Sequence, residues 1–291
     1  MLEYMTIAEL TCAAREQGKK LSEVVLADQS AQMEIKAEEL YARMERSLDV
    51  MQEAIKAGMD PDLRSTSGLT GGDAAKMLTY SQQGGMTGSF LNKAMARAIA
   101  VAEYNAAMGK IVAAPTAGSC GIIPGTVLSM LEEGRCTREQ AVMALFTSGA
   151  VGIVIANKAC LAGAQGGCQA ECGSAAAMAA AALVELSGGT PEQCEHAVAI
   201  AIKNQLGLAC DPVAGLVEIP CIKRNVAGIM VAFSAAEMAL AGIDSKIPAD
   251  ECIAAMREVG EALPCALKET AQGGLAVTPT GLKMKKQVFG E

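Results

Sequence analysis

Ala175-Ala-Ala-Met-Ala-Ala-Ala-Ala-Leu-Val184 is the stretch that decides the fold. It holds no charge, no Gly and no Pro, and Ala, Met and Leu are strong helix formers. A helix that is apolar all round belongs at the centre of a bundle rather than on its surface. Its small side chains let neighbouring backbones approach closely, and Met fills irregular gaps. Working outward, Thr190-Pro191-x-Gln193 and Thr137-x-x-Gln140 have capping-box form, the first with Pro at the first helical position. Further helices are expected at 88–109, 171–187, 191–205, 222–241 and 250–262. Residues 21–57 read as one long charged amphipathic helix, closed by Gly58 and the turn Asp60-Pro61-Asp62. No strand-like alternation is present. The expected fold is all-α, a dense Ala/Gly-rich bundle in a single domain, with 1–62 as a helical arm and 63–291 as the core.

Composition excludes several classes of function. Of 291 residues 51% are apolar and 19% charged, which rules out disorder. A net charge of −8 argues against nucleic-acid binding, where a basic stripe supplies most of the affinity. With 3% aromatics and no Trp, base-stacking platforms are also excluded. A membrane location is not expected. The start Met1-Leu-Glu-Tyr4 lacks a basic leader, and Ile111–Leu131 is broken by Pro115 and Pro124. Ala141–Asn157 falls short of the about 20 strongly apolar residues of a span and reads as a buried helix. Eleven Cys in a chain of this size suggest a reducing, cytoplasmic setting with metal, redox or packing roles.

Chemistry concentrates in the loops. In Ala114-Pro-Thr-Ala-Gly-Ser-Cys-Gly-Ile-Ile-Pro-Gly-Thr126, the residues Thr116, Gly118, Ser119 and Gly121 stand directly before a helix start. Two hydroxyls and free N–H groups there suit a substrate carboxylate; a plain interhelical loop is the other reading. The phosphate-loop Lys is missing. Cys168 follows Gln165-Gly-Gly167 at a helix start, where the dipole favours a thiolate. Cys210 lies in Gly207-Leu-Ala-Cys-Asp-Pro212, and Cys221 follows Pro220. Their spacing matches no compact zinc or ferredoxin pattern. On spacing alone they read first as buried small hydrophobes, with three-thiolate cluster ligation as the alternative. Cys194 and Cys252 sit on helical core faces, and Cys120 and Cys172 are expected to pack close to the site. The single His196 reads as a solvated helix residue, so no His-based triad or multi-histidine zinc site is available. No carboxylate stands out as a desolvated base near Cys168, Cys210 and Cys221.

Taken together, five segments carry a resemblance. They are Ser67-Gly-Leu-Thr-Gly-Gly-Asp73; Ala114–Ser119 with Gly121-Ile-Ile-Pro124; Gly167-Cys-Gln-Ala-Glu171; Gly207–Val213 with Glu218-Ile-Pro-Cys221; and Lys268-Glu-Thr270 with Gly273-Gly-Leu-Ala276. Over almost its whole length the chain resembles the α chain of the bacterial iron–sulfur-dependent L-serine dehydratases. The resemblance implies a [4Fe–4S] cluster held by Cys168, Cys210 and Cys221, with the Gly/Pro loops converging on it. It implies deamination of L-serine to pyruvate and ammonia, with an open iron as Lewis acid and the Thr116–Gly121 loop holding the carboxylate. It also implies a separate β chain carrying a Ser/His-containing motif, so the catalytic base is expected outside this chain and the partner surface is expected to be apolar. No Cys follows Cys265 to cap the open iron, and air sensitivity is therefore expected.

Three rivals are weighed against this. A pyridoxal phosphate dehydratase would use Lys158, the only Lys of a long apolar stretch, but the α/β pattern and phosphate loop are missing. A cysteine desulfidase would run related chemistry on the same scaffold. A non-catalytic helical partner subunit would use its cysteines for packing alone.

Overall fold

The computed structural model describes residues 5–290. Thirteen α-helices run through them: α1 (Ile7–Gln17), α2 (Leu21–Met33), α3 (Ala37–Gly58), α4 (Asp73–Ser81), α5 (Gly88–Ala106), α6 (Ile122–Glu132), α7 (Arg138–Lys158), α8 (Gly163–Gly166), α9 (Ser174–Leu186), α10 (Pro191–Lys203), α11 (Cys221–Leu240), α12 (Ala249–Ala262) and α13 (Pro279–Phe289). No strand occurs among the described residues; one isolated bridge pairs Cys210 with Lys268. The fold is all-α, as the alanine run requires.

That run forms α9, buried from Ser174 to Glu185 and surrounded by α6, α7, α10 and α11. Contact is close because the side chains are small. A Cβ placed on Gly152 of α7 would lie 2.8 Å from Met178 Cε, so Met178 fills a notch that only glycine leaves open. Polar groups at this interface are paired: Ser148 Oγ donates to the Met178 carbonyl (3.0 Å), and Thr147 Oγ1 donates to Glu185 Oε2 (2.7 Å). The same carboxylate oxygen accepts the Ser22 N–H (3.1 Å), tying the start of α2 to the centre. Such pairing is what permits a buried carboxylate.

Helices α7 and α10 begin at Thr137 and Thr190, whose hydroxyls accept from the N–H of Gln140 and Gln193. Two helices were not expected. Thr6 and Glu9 form a complete capping box for α1, whose first N–H groups (Ile7, Ala8) donate to the Asp250 carboxylate of α12 at 2.9 and 3.1 Å. α13 starts at Thr278-Pro279. The single helix expected over 21–57 is in fact two. The chain turns at Glu34, which takes a left-handed φ of 55°, and α3 restarts at Ala37. The Ser30 hydroxyl and carbonyl bind the Ile35 carbonyl and N–H across the turn. The break lets α2 lie on α7 while α3 lies on α5, and each buries its own apolar face.

The first three helices enter the same apolar core as the rest, through Ile7, Leu10, Val24, Leu48 and Ile55. Among the described residues α7 alone is long and apolar enough to cross a membrane, and 67% of its most apolar window is covered by the fold. It is a core helix by position.

Enlarging a side chain at the centre tests the close packing. Ala179→Leu should destabilise the protein by about 1–3 kcal/mol through overpacking. An unchanged urea midpoint would show that α9 has room to spare.

Candidate active site

The loop before α6 is a preformed turn. After the cis bond Ala114–Pro115, Thr116 caps a single 3-10 turn, Ala117–Ser119. The Thr116 and Ser119 hydroxyls lie 3.2 Å apart. Three N–H groups are already used: Ser119 and Cys120 donate to the Thr116 and Ala117 carbonyls, and Gly121 donates to Asn225 Oδ1 (2.8 Å). Asn225 of α11 is fully buried, and its Nδ2 donates to the carbonyls of Gly118 (2.8 Å) and Cys221 (2.9 Å). It thus fastens the turn to the helix that Cys221 opens. Gly118, Ser119 and Gly121 are buried, whereas Thr116 is half-buried and faces outward from the turn. The loop presents hydroxyls more than free N–H groups.

Cys168 opens a π-helical turn, Gln169–Gly173, that runs into α9. Gln169 is fully buried and stitches this turn to the Cys210 loop. Its Oε1 accepts the Gly207 N–H (2.9 Å), its own N–H donates to the Leu208 carbonyl (3.0 Å), and its Nε2 donates to the Met256 carbonyl (2.8 Å). On the other side, the Cys210 N–H donates to the Leu267 carbonyl and the Glu269 N–H to the Cys210 carbonyl, both at 2.8 Å. Cys221 is the first residue of α11, after the cis bond Ile219–Pro220.

The three thiols lie within electrostatic reach of one another. Burial pushes the Cys210 thiol up, and the charges of Glu171, Cys168, Glu269 and Cys221 add to that. Burial likewise pushes Cys221 up to about 12, with Cys168 and Glu171 contributing. Cys168 moves the other way. Its hydrogen bond with the Cys172 thiol (3.5 Å) and the Arg224 guanidinium both favour its thiolate, so its pKa is lowered. Arg224 is anchored by its Nη1 on the Ala209 carbonyl (2.7 Å) and its Nη2 on Asp211 (2.8 Å), residues that flank Cys210. Arg224 and Asn225 were not singled out from the sequence; the visible signal is an Arg-Asn pair early in an apolar helix.

No carboxylate stands out from the sequence as a desolvated base near these thiols, but the structure places the half-buried Glu171 beside them. Glu171 Oε1 accepts the Thr116 hydroxyl at 2.7 Å, and its Oε2 faces the Cys210 thiol at 3.8 Å. Burial pushes its carboxyl above the usual range. It joins the hydroxyl loop to the thiols.

Most other candidates lie elsewhere. Cys194 and Cys252 donate to the carbonyls of Ala181 and Ile247, within the helical packing. Cys120 does pack beside the site, as expected: it caps the Ala117–Ser119 turn within electrostatic reach of Cys221, and burial raises its thiol to about 12. His196, half-buried rather than fully solvated, accepts the Ser245 N–H (3.4 Å) and faces Asp244 (3.5 Å). Lys158 is exposed at the end of α7, outside the site. Among the described residues no three His, Cys, Asp or Glu side chains stand close enough to hold a single metal ion. Three thiols beside a guanidinium are of the soft donor type that suits iron–sulfur groups.

The class that the structure defines is an all-helical protein with a cluster of thiols beside a hydroxyl-bearing turn. Comparison with known proteins narrows it. The family described as "Serine dehydratase alpha chain" matches residues 16–276, and the chain belongs to that family. It is 50% identical over 288 residues to the probable L-serine dehydratase α chain of Bacillus subtilis (strain 168), covering 99% of this chain and 96% of that protein. To the L-serine dehydratase α chain of Peptoniphilus asaccharolyticus it is 44% identical, covering 98% of each. A longer protein, L-serine dehydratase TdcG of Escherichia coli (strain K12), is 43% identical over 182 residues, 62% of this chain and 40% of that one.

Asn225 gives the site its test of construction. Asn225→Ala strands the Gly121 N–H and two carbonyls in the interior, and should cost about 1–3 kcal/mol. Denaturation at the wild-type midpoint would show that the turn does not depend on this bridge.

Proposed function

We propose that this chain is the α chain of an L-serine ammonia-lyase that converts L-serine to pyruvate and ammonia. The observation that supports the reading is that three thiols from three separate segments, two buried and one half-buried, act electrostatically on one another beside the Thr116–Gly121 turn. Cys168, Cys210 and Cys221 would hold a [4Fe–4S] cluster, and Arg224 offsets the negative charge they gather. When bound, that cluster supplies a Lewis-acidic iron to help the β-hydroxyl depart as hydroxide.

The chain's own residues do the rest. The turn of Thr116, Gly118, Ser119 and Gly121 takes the substrate carboxylate, with the Thr116 hydroxyl outermost. Asn225 and Ser119 hold that turn in place before substrate arrives, so orientation is set in advance. The alanine-packed helices behind exclude water from the buried thiols. Residues 1–62 and 63–291 work as one domain in this reading. The base that removes the α-proton is assigned to a β chain, because the only His of this chain is held by Asp244 and Ser245 away from the site. All eleven thiols are free, which fits a reducing, cytoplasmic setting.

Iron analysis after anaerobic reconstitution tests the ligand set. Cys168→Ala, Cys210→Ala and Cys221→Ala should each lose the cluster, whereas Cys194→Ala and Cys252→Ala keep it. Equal iron in all five variants would sink the assignment. The reconstituted chain should turn over L-serine efficiently only with its β chain; an isolated chain as fast as the pair would place the base here.

A further inference from the structure

Glu171 makes no direct ion pair among the described residues, although the charge of Arg224 reaches it. Its two oxygens meet a hydroxyl, Thr116 Oγ1 at 2.7 Å, and a thiol, Cys210 Sγ at 3.8 Å. Among the described residues no Lys, Arg or His forms an ion pair with it, and the nearby Arg224 is already bonded to Asp211 and the Ala209 carbonyl. The backbone is shaped around it. A Cβ at Gly118 would lie 2.9 Å from Glu171 Oε1, and one at Gly163 would lie 2.6 Å from Oε2 and 3.0 Å from Cys210 Sγ. Two glycines on two different loops therefore leave room for this one side chain.

Ligation sharpens the imbalance. Once Cys210 serves as a ligand it has no proton to give, so Oε2 loses its donor and gains an anionic neighbour. A half-buried carboxylate in such a position favours a cationic partner. Thr116, Glu171 and Cys221 are only half-buried, so the open edge of the site runs past them and a ligand can supply that cation.

We propose that Glu171 receives the α-ammonium group of the amino-acid substrate, as a substrate-binding residue beside the carboxylate-binding turn. This rests on the reading of the site given above, and it adds a basis for selectivity. A lone carboxylate ligand in the turn is repelled by Glu171, whereas a zwitterion is not. The site therefore selects 2-amino acids over the matching 2-hydroxy acids. Replacing a charge-assisted hydrogen bond by a neutral one should weaken binding at least about tenfold.

The test uses the anaerobically reconstituted α chain with its β chain. L-serine is compared with L-glycerate, which carries a hydroxyl where serine carries the ammonium; KM is read for serine and competitive inhibition for glycerate. Wild type should bind serine at least about tenfold more tightly than glycerate, a comparison that needs no variant. Glu171→Gln should keep its iron, raise KM for serine by about tenfold or more, and leave glycerate binding unchanged or tighter. Glu171→Asp should recover part of the serine affinity. Equal wild-type affinity for the two ligands would overturn the assignment, as would a Glu171→Gln variant that weakens both alike, which marks a mere support for Thr116. A wild-type complex that carries the cluster but does not turn over serine would instead defeat the functional reading itself, and this inference with it.

Discussion

Two buried carboxamides hold the site together. Thiols from three loops can meet only if something other than the thiols fixes the loops, because ligands that must also position themselves lose geometry when the group they bind is absent. Gln169 ties the Cys168 turn to the Cys210 loop, and Asn225 ties the Thr116 turn to Cys221. Each uses both its carbonyl and its amide, so neither carboxamide is left unpaired. A fully satisfied buried network of this kind is rigid, and one partner lost exposes several groups at once.

Charge is the second constraint. Cys168, Glu171 and Asp211 lie close together, and Arg224 is the cation that acts on all three. A planar guanidinium suits this position because its donors are fixed in a fork: one reaches the Ala209 carbonyl, another Asp211, and the charge still bears on Cys168. Asp211 in turn accepts the Leu275 N–H, which extends the network to the segment before α13. The charge balance of the site is thus built from residues on either side of Cys210, not from the thiols alone.

What the sequence displays and what it hides follow from the range of the interactions. The core position of α9 and the starts of α7 and α10 are written locally, in an apolar run and in capping boxes. The Thr6–Glu9 box was equally local and went unread. The turn at Glu34 left no trace, because it uses neither Gly nor Pro; tertiary packing of α2 on α7 and α3 on α5 imposes the left-handed residue. Cys168, Cys210 and Cys221 are too far apart along the chain for any compact ligand pattern, so resemblance to a family, not spacing, picked them out. Glu171 was hidden for a different reason. Its burial comes from Thr116, Gly118 and Gly163, which lie outside its own segment.

The π-helical turn explains how one short segment serves both halves of the site. A wider turn than the α-helix places side chains four apart nearly one above the other, and the Cys168 and Cys172 thiols accordingly meet at 3.5 Å. Glu171, one of the three residues between them, points toward Thr116 and Cys210. Such turns cost backbone hydrogen bonding and recur at functional sites. Here α9 follows directly, held on four sides by close alanine packing, so the irregular turn is attached to the most rigid element of the fold. A regular helix from Cys168 onward would direct Glu171 differently, and the hydroxyl turn would lose the carboxylate that links it to the thiols.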